Sequence, residues 1–382
     1  MPKHYDIIVA GAGIIGASIA YHLAKKGKRV AILDKIGPFA AASGASDGAV
    51  SVCTKRKGVM SELSLQSLRY YNELSKPGQV LEGFFKKRPS YYFSTTEAEN
   101  SALDILENRI RELGPDVSVA SDQYRPCGIP NMGENISRVL EVSGEGHVLA
   151  YKVIDAFIRS QKMDRLWPCE LVDYSYNNDI VEIKTSMGKF SADHLVVATG
   201  VDATTIFPSL PISRRSGQLI VTERIFNKKN ILQGSLTAAA YLLNKNQKEC
   251  SQNAPPIVID PLTTGQYLIG STRENDGDQL QTDFATVQRL LTHAVKCFPP
   301  LRQERIIRVF AGVRASVIDS LPILGSIDAT GKVIVATGFE GDGICLSPLI
   351  GREVTNFIFD KTFSPSLSVL NPERFSHKTV KR

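Results

Sequence analysis

Apolar residues follow two rhythms along this chain: short uninterrupted runs, and positions spaced by three or four. The first run, residues 7–10, is long enough for one buried strand. Ile15, Ile19 and Leu23 then recur every four residues on one helix face, Gly27 stops the helix, and residues 30–33 form a second buried run ending on Asp34. Met60, Leu63, Tyr70, Tyr71 and Leu74 predict one further helix, and Leu103, Leu106, Ile110 and Leu113 another, with RPSYYFS between them as a strand. GEGHV turns into a helix over residues 151–158, followed by strands over 169–174 and 181–185. DHLVVATG (193–200) and KVIVATG (332–338) are buried strands running into a glycine, which predicts two strand ends at one edge of the same sheet.

From Arg214 the pattern changes to strands without helices between them: GQLIVTE, AAYLLNK, PPIVIDP and GQYLIGSTRE. Such a series predicts an antiparallel sheet, with TTG at 263–265 as a hairpin turn and residues 245–256 as a solvated insertion. Phe284, Val287, Leu291, Ala294 and Phe298 mark a helix closed by Pro299 and Pro300. Residues 308–325 read as strand and loop, 343–359 as the last helix, and the chain beyond Asp360 as a polar, loosely held tail. The expected fold class is α/β: a Rossmann-like domain from 1–51, 144–212 and 308–366, interleaved with an α+β domain on an antiparallel sheet from 52–143 and 213–307, then a tail, 367–382.

Gly11, Gly13 and Gly16 stand at the G-x-G-x-x-G spacing between the first strand and its helix. Gly11 allows the tight turn, Gly13 lets backbone approach a pyrophosphate, and Gly16 lets helix and strand pack closely. The helix N-terminus offers N–H groups and a positive dipole end to phosphates, and Asp34 is placed to bind a ribose. Strand, glycines, helix, second strand and acidic residue in this order predict a dinucleotide site. A carboxylate at Asp34 disfavours NADP, whereas FAD and NAD both fit. The small-residue loop over 37–51 is either a flexible connection or a cofactor-groove lining through its N–H groups and the Ser43 and Ser46 hydroxyls.

A chain of 382 residues suits two domains, and a net charge of +6 with scattered Lys and Arg argues against nucleic acid. No apolar run reaches the roughly 18 residues of a membrane span, and the glycine-broken first run does not read as a signal peptide, so cytoplasmic residence is expected. The six cysteines are far apart, without C-x-x-C or a Cys/His cluster, so no metal site is expected.

GFEGDGI, residues 338–344, joins a buried strand to the last helix. Its three glycines bring backbone close to something at which that helix points its positive end. Were that a flavin, the dipole would stabilise negative charge on the reduced ring. Arg314 sits in an apolar strand and calls for a carboxylate, either from a substrate or from an internal Asp or Glu. Tyr241 is a candidate wall of the same pocket, with a core role as the alternative.

With AGAGIIG and Asp34, VVATG, GVR followed by DSLPILG, and GFEGDGI, the chain resembles the D-amino-acid oxidase family of flavoproteins, over most of its length. The resemblance implies an extended FAD, and oxidation of the C–N bond of an amino or imino acid by hydride transfer to it. It places the cofactor along Gly11, Gly13, Ile14, Ile15 and Gly16, then Asp34 and Lys35, and along the loop of Ser43, Ser46, Asp47 and Gly48. Val172 would meet the adenine through its backbone, Ala198 and Gly200 would lie near the pyrophosphate, and Gly338, Glu340, Gly341, Asp342, Gly343 and Ile344 would face the flavin. Arg314 would bind the substrate carboxylate, with Tyr241 beside it. Sarcosine oxidases carry at the position of Arg314 a cysteine that attaches flavin covalently, so FAD is expected to be non-covalent here. Departures are Ala315, where glycine oxidase-like members usually have proline, and Phe339, where many have histidine. The chain looks most like the catalytic subunits of opine oxidases and D-hydroxyproline dehydrogenases, which implies a redox partner subunit. Two other classes remain as expectations to be separated: a non-catalytic FAD-binding assembly subunit, and an NAD-linked dehydrogenase.

Overall fold

Lys3–Ala10, whose second half is completely buried, lies inside an eight-stranded sheet. The computed structural model describes residues 2–122, 129, 131–225, 232–244, 257–275 and 281–376. The order across the first sheet is Leu171–Asn177, Ile180–Thr185, Gly188–Val197, Lys3–Ala10, Val30–Leu33 and Asp164–Leu166. Val333–Thr337 runs parallel to the end of Gly188–Val197, with Ile323–Ser326 antiparallel beside it. The two strand-to-glycine turns are therefore neighbours at one sheet edge, as their common form predicts. Helices Ile14–Lys25, Ala150–Arg159 and Gly343–Asp360 contribute to the largest apolar core, which also takes in the buried face of Val59–Leu74.

Among the described residues the second sheet has nine strands: Glu274–Asn275, Ile212–Thr222, Tyr267–Gly270, Val258–Pro261, Ser235–Ala238, Ser90–Ser94, Arg138–Ser143 and Ser118–Asp122, with Ile306–Val317 beside Ile212–Thr222. Every pairing is antiparallel except that of Ser235–Ala238 with Ser90–Ser94, so the expected antiparallel sheet contains one parallel junction. Phe284–Cys297 covers one face through Val287, Leu290 and Ala294. The segment 308–366 divides between the two sheets: the strand bearing Arg314 pairs along its length with Ile212–Thr222, and the rest joins the first sheet.

Two expectations fail. AAYLLNK is not a strand: the strand ends at Ala238, the N–H of Ala239 bonds to the Phe93 carbonyl, and Ala240–Asn244 is a short helix. Short apolar runs do not distinguish the two periods, and Ala and Leu are strong helix formers. The chain beyond Asp360 is not loosely held as far as Ser376. Leu367 and Leu370 are buried, and Arg374 pairs with Asp319 at 2.8 Å while donating to the carbonyls of Leu321 and Pro322 at 3.0 Å. The insertion at 245–256 and the tail beyond Ser376 lie outside the described residues.

Candidate active site

One long groove follows the carboxyl ends of the first sheet and continues onto the second. At its start, Gly11 has φ +105°, and a Cβ there would stand 2.4 Å from the Ala198 carbonyl oxygen. A Cβ at Gly16 would stand 1.9 Å from the Gly11 carbonyl oxygen, so both glycines are needed for helix and strand to approach. The Ile14 N–H at the helix start donates to Ser43 Oγ at 3.0 Å, which seats the small-residue loop over the helix end. That loop is a 3-10 turn over Ala42–Ala45 rather than a loose connection.

Asp34 is committed mainly to backbone. Its Oδ1 accepts from Ile36 and Gly37, and its Oδ2 from Ala12. Two lone pairs per oxygen leave one acceptor position on Oδ2 for a ribose hydroxyl. Lys35 is paired with Asp202 at 2.8 Å across the groove mouth. Thr199, between Ala198 and Gly200 in the groove wall, has a buried hydroxyl with no hydrogen-bond partner among the described residues. An orphaned hydroxyl, two close-approach glycines and a helix N-terminus along one channel fit an extended dinucleotide.

Of the residues expected to line the groove, Gly11, Gly13, Ile14, Ile15, Asp34, Lys35, Ser43, Ser46, Asp47, Ala198, Gly200, Gly338, Glu340, Gly341, Gly343, Ile344, Tyr241 and Arg314 do so. Four do not. Gly16 supports Gly11 from behind, and Gly48 packs against the Val148 carbonyl and His147. Val172 sits at a register irregularity in its strand while Glu170 and Leu171 form the wall. Asp342 turns away to pair with Lys55 Nζ at 2.6 Å. Burial alone would lower the pKa of Lys55, but Asp342 outweighs it and holds the ammonium well above its usual range.

At the far end, Gly338 (φ +73°) and Glu340 (φ +45°) form the turn into Gly343–Asp360, whose first-turn N–H groups have no acceptor within the helix. Glu340 is held by Arg215 at 2.8 Å. The Arg314 guanidinium lies over Gly217, where a Cβ would stand 2.7 Å from it, and donates to Ser271 Oγ at 2.9 Å. Among the described residues no Asp or Glu is ion-paired with Arg314. Burial lowers its pKa, with Tyr241 opposing the shift. An internal carboxylate partner, the alternative for this arginine, is thus not found among the described residues.

Sequence reasoning missed several neighbours. Arg273 donates to the Tyr241 hydroxyl at 2.7 Å and stacks over its ring at 4.7 Å. Asp260 lies in the groove wall, bonded to Arg88, with His147 Nε2 at 3.5 Å. Burial pushes the Asp260 carboxyl up to about 7 against the pull of Arg88, and burial with Arg88 pushes His147 down to about 3. Arg273 stands three residues past the end of a buried strand and gave no local signal. Asp260 sits inside an apolar run and gave none.

Comparison with known proteins agrees with this architecture. The chain is 26% identical over 377 residues to a glycine oxidase of Bacillus licheniformis, covering 94% of each chain. It is 24% identical over 440 residues to hydrogen cyanide synthase subunit HcnC of Pseudomonas protegens, covering 100% of this chain and 99% of the relative. The crystal structure of glycine oxidase from Geobacillus kaustophilus superposes with a TM-score of 0.85 at 24% identity, over 97% of this chain and 99% of that one. No helix among the described residues is long and apolar enough to cross a membrane, and none of their His, Cys, Asp and Glu residues form a metal-binding group. The family pattern described as FAD dependent oxidoreductase (DAO) matches residues 6–357, which decides between the FAD and NAD that the glycine motif alone left open, and the chain belongs to that family.

Proposed function

We propose that this FAD-dependent oxidoreductase oxidises the C–N bond of an amino or imino acid, with Arg314 as the carboxylate anchor. The observation that carries this reading is a guanidinium in the groove wall, beside the Gly338–Ile344 turn, with no carboxylate paired to it among the described residues. FAD when bound supplies the hydride acceptor. The chain supplies position and electrostatics. Gly11, Gly13, Thr199 and the start of Ile14–Lys25 would hold the dinucleotide, and the start of Gly343–Asp360 would favour negative charge on the flavin. Arg314 would fix the substrate carboxylate, with Ser271 and Gly217 fixing Arg314 in turn. Orientation of this kind needs no obligatory protein base, provided the amine enters neutral.

Cofactor attachment is non-covalent in this reading, because Arg314 occupies the position at which the sarcosine oxidases carry their cysteine. A partner subunit that accepts electrons is consistent with the relative in hydrogen cyanide synthase being named a subunit. Arg314→Ala tests the anchor: KM for a carboxylate substrate rises by about a hundredfold or more, consistent with loss of a charge-assisted contact. An unchanged KM removes Arg314 from the site. Activity with an artificial acceptor but no peroxide in air points to a partner; stoichiometric peroxide points to oxygen.

A further inference from the structure

Two arginines stand opposite each other on the strands at the substrate end of the groove. Arg215 in Ile212–Thr222 is paired in register with Arg314 in Ile306–Val317. Like charges directly opposite on an antiparallel pair destabilise it unless one is neutralised. The two are engaged differently. Arg314 donates to Ser271 Oγ at 2.9 Å and to the Ser216 carbonyl at 3.5 Å, and no Asp or Glu among the described residues is ion-paired with it. Arg215 holds Glu340 Oε1 at 2.8 Å and reaches the Asn275 side chain at 3.4 Å.

Glu340 belongs to the turn at Gly338–Ile344 and lines the same groove as Arg314. Its backbone has φ +45°, which glycine adopts without the penalty that a side chain carries. Its N–H donates to the carbonyl of Ala315, the residue after Arg314, at 3.0 Å. The Glu340 carboxylate lies close enough to Arg314 to favour its charge, as does that of Asp47, whose Oδ1 accepts from the Ala49 N–H. The groove therefore contains a carboxylate of its own beside the carboxylate anchor, and that carboxylate is bonded to the opposite arginine instead.

We infer that Arg215 is a positioning residue that keeps Glu340 off Arg314, so that the anchor meets the substrate carboxylate and not an internal one. The inference rests on the proposed function for what Arg314 binds, and adds what keeps Arg314 available. Without the Arg215 charge, Glu340 turns to the neighbouring guanidinium and competes with any carboxylate that enters. Apparent affinity then falls with the fraction of protein whose anchor is open: an anchor filled by Glu340 about nine-tenths of the time binds about tenfold more weakly.

The test uses the FAD-loaded protein and acetate at constant ionic strength, with binding read from perturbation of the flavin visible spectrum and so apart from turnover. Arg215→Met should weaken acetate binding about tenfold. Adding Glu340→Gln to Arg215→Met should recover most of that loss, because an amide competes for a guanidinium far less than a carboxylate does. Arg215→Lys, which keeps the charge, should lie between the parent and Arg215→Met; if Arg215→Met does not fold, Arg215→Gln takes its place in the same comparison. A double variant that binds as weakly as Arg215→Met makes the pair a mechanical tie and overturns the inference, as does acetate binding unchanged in Arg215→Met. Acetate binding that follows the expected pattern in a protein whose flavin no amino or imino acid reduces supports the role of Arg215 while overturning the proposed reaction. Absence of acetate binding in the parent protein overturns the anchor and the inference together.

Discussion

Lys55 and Asp342 make a sharp quantitative test, because their pairing is buried unequally. Nζ lies 2.6 Å from Oδ1, with the lysine side chain 6% exposed and the aspartate 23% exposed. Breaking a buried pair costs about 3–5 kcal/mol, because the remaining charge keeps its desolvation penalty without its partner. The ammonium left by Asp342→Asn is almost fully removed from water, which places that variant near ~5 kcal/mol. The carboxylate left by Lys55→Met still reaches solvent, which places the second near ~3 kcal/mol. The double variant leaves no buried charge and should be more stable than the sum of the two predicts, by a coupling of about 1–3 kcal/mol. Urea midpoints followed by far-UV circular dichroism, with equal slopes required for comparison, measure all four proteins. Lys55→Met costing as much as Asp342→Asn, or strict additivity, would refute the argument.

The remaining predictions concern the site and the fold around it. Gly217→Ala puts a methyl group 2.7 Å from the Arg314 guanidinium and 2.6 Å from the Thr272 carbonyl oxygen. Displacement of the anchor should cost roughly tenfold or more in kcat/KM, and the clash with the Thr272 backbone should lower the melting temperature as well; steady-state kinetics and calorimetry check this. His22 donates Nδ1–H to the Ser18 carbonyl and accepts the Tyr70 hydroxyl on Nε2, and burial pushes its pKa down to about 4. The folded value lies below the unfolded one, so its contribution is complete above about pH 6.5 and is lost as pH falls through about 4. This amounts to roughly 3 kcal/mol, and His22→Met should flatten that part of the stability profile. Acid precipitation of the protein should release all of the flavin into the supernatant; flavin retained in the pellet refutes non-covalent attachment.

The sequence disclosed the first sheet more fully than the second. Residues 7–16 carry their own context, because a buried run, three spaced glycines and an amphipathic helix constrain one local unit, and that unit is what folds. VVATG and VIVATG announced their adjacency by sharing a form. In the second sheet, placement depends on partners far along the chain. The pairing of Ser235–Ala238 with Ser90–Ser94 spans a long separation and leaves no local trace, and AAYLLNK satisfied either period. The tail was misread for a related reason: Leu367, Leu370 and Arg374 are ordinary surface residues until the Asp319 loop is placed beside them. At the site, Arg314 stood out as a charge inside an apolar strand. Arg273 and Asp260 gained their meaning only when three strands of the second sheet brought them to one groove.

The central claim is that the groove joins FAD to a carboxylate-anchored amine, and anaerobic spectrophotometry of the purified protein tests it in one cuvette. In a screen of amino and imino acids, at least one should bleach the visible flavin absorbance completely in the parent protein, with Arg314→Ala requiring about a hundredfold more of it for the same loss. A yellow protein whose absorbance no amino or imino acid changes, or an Arg314→Ala protein that bleaches at the parent concentration, would contradict the account.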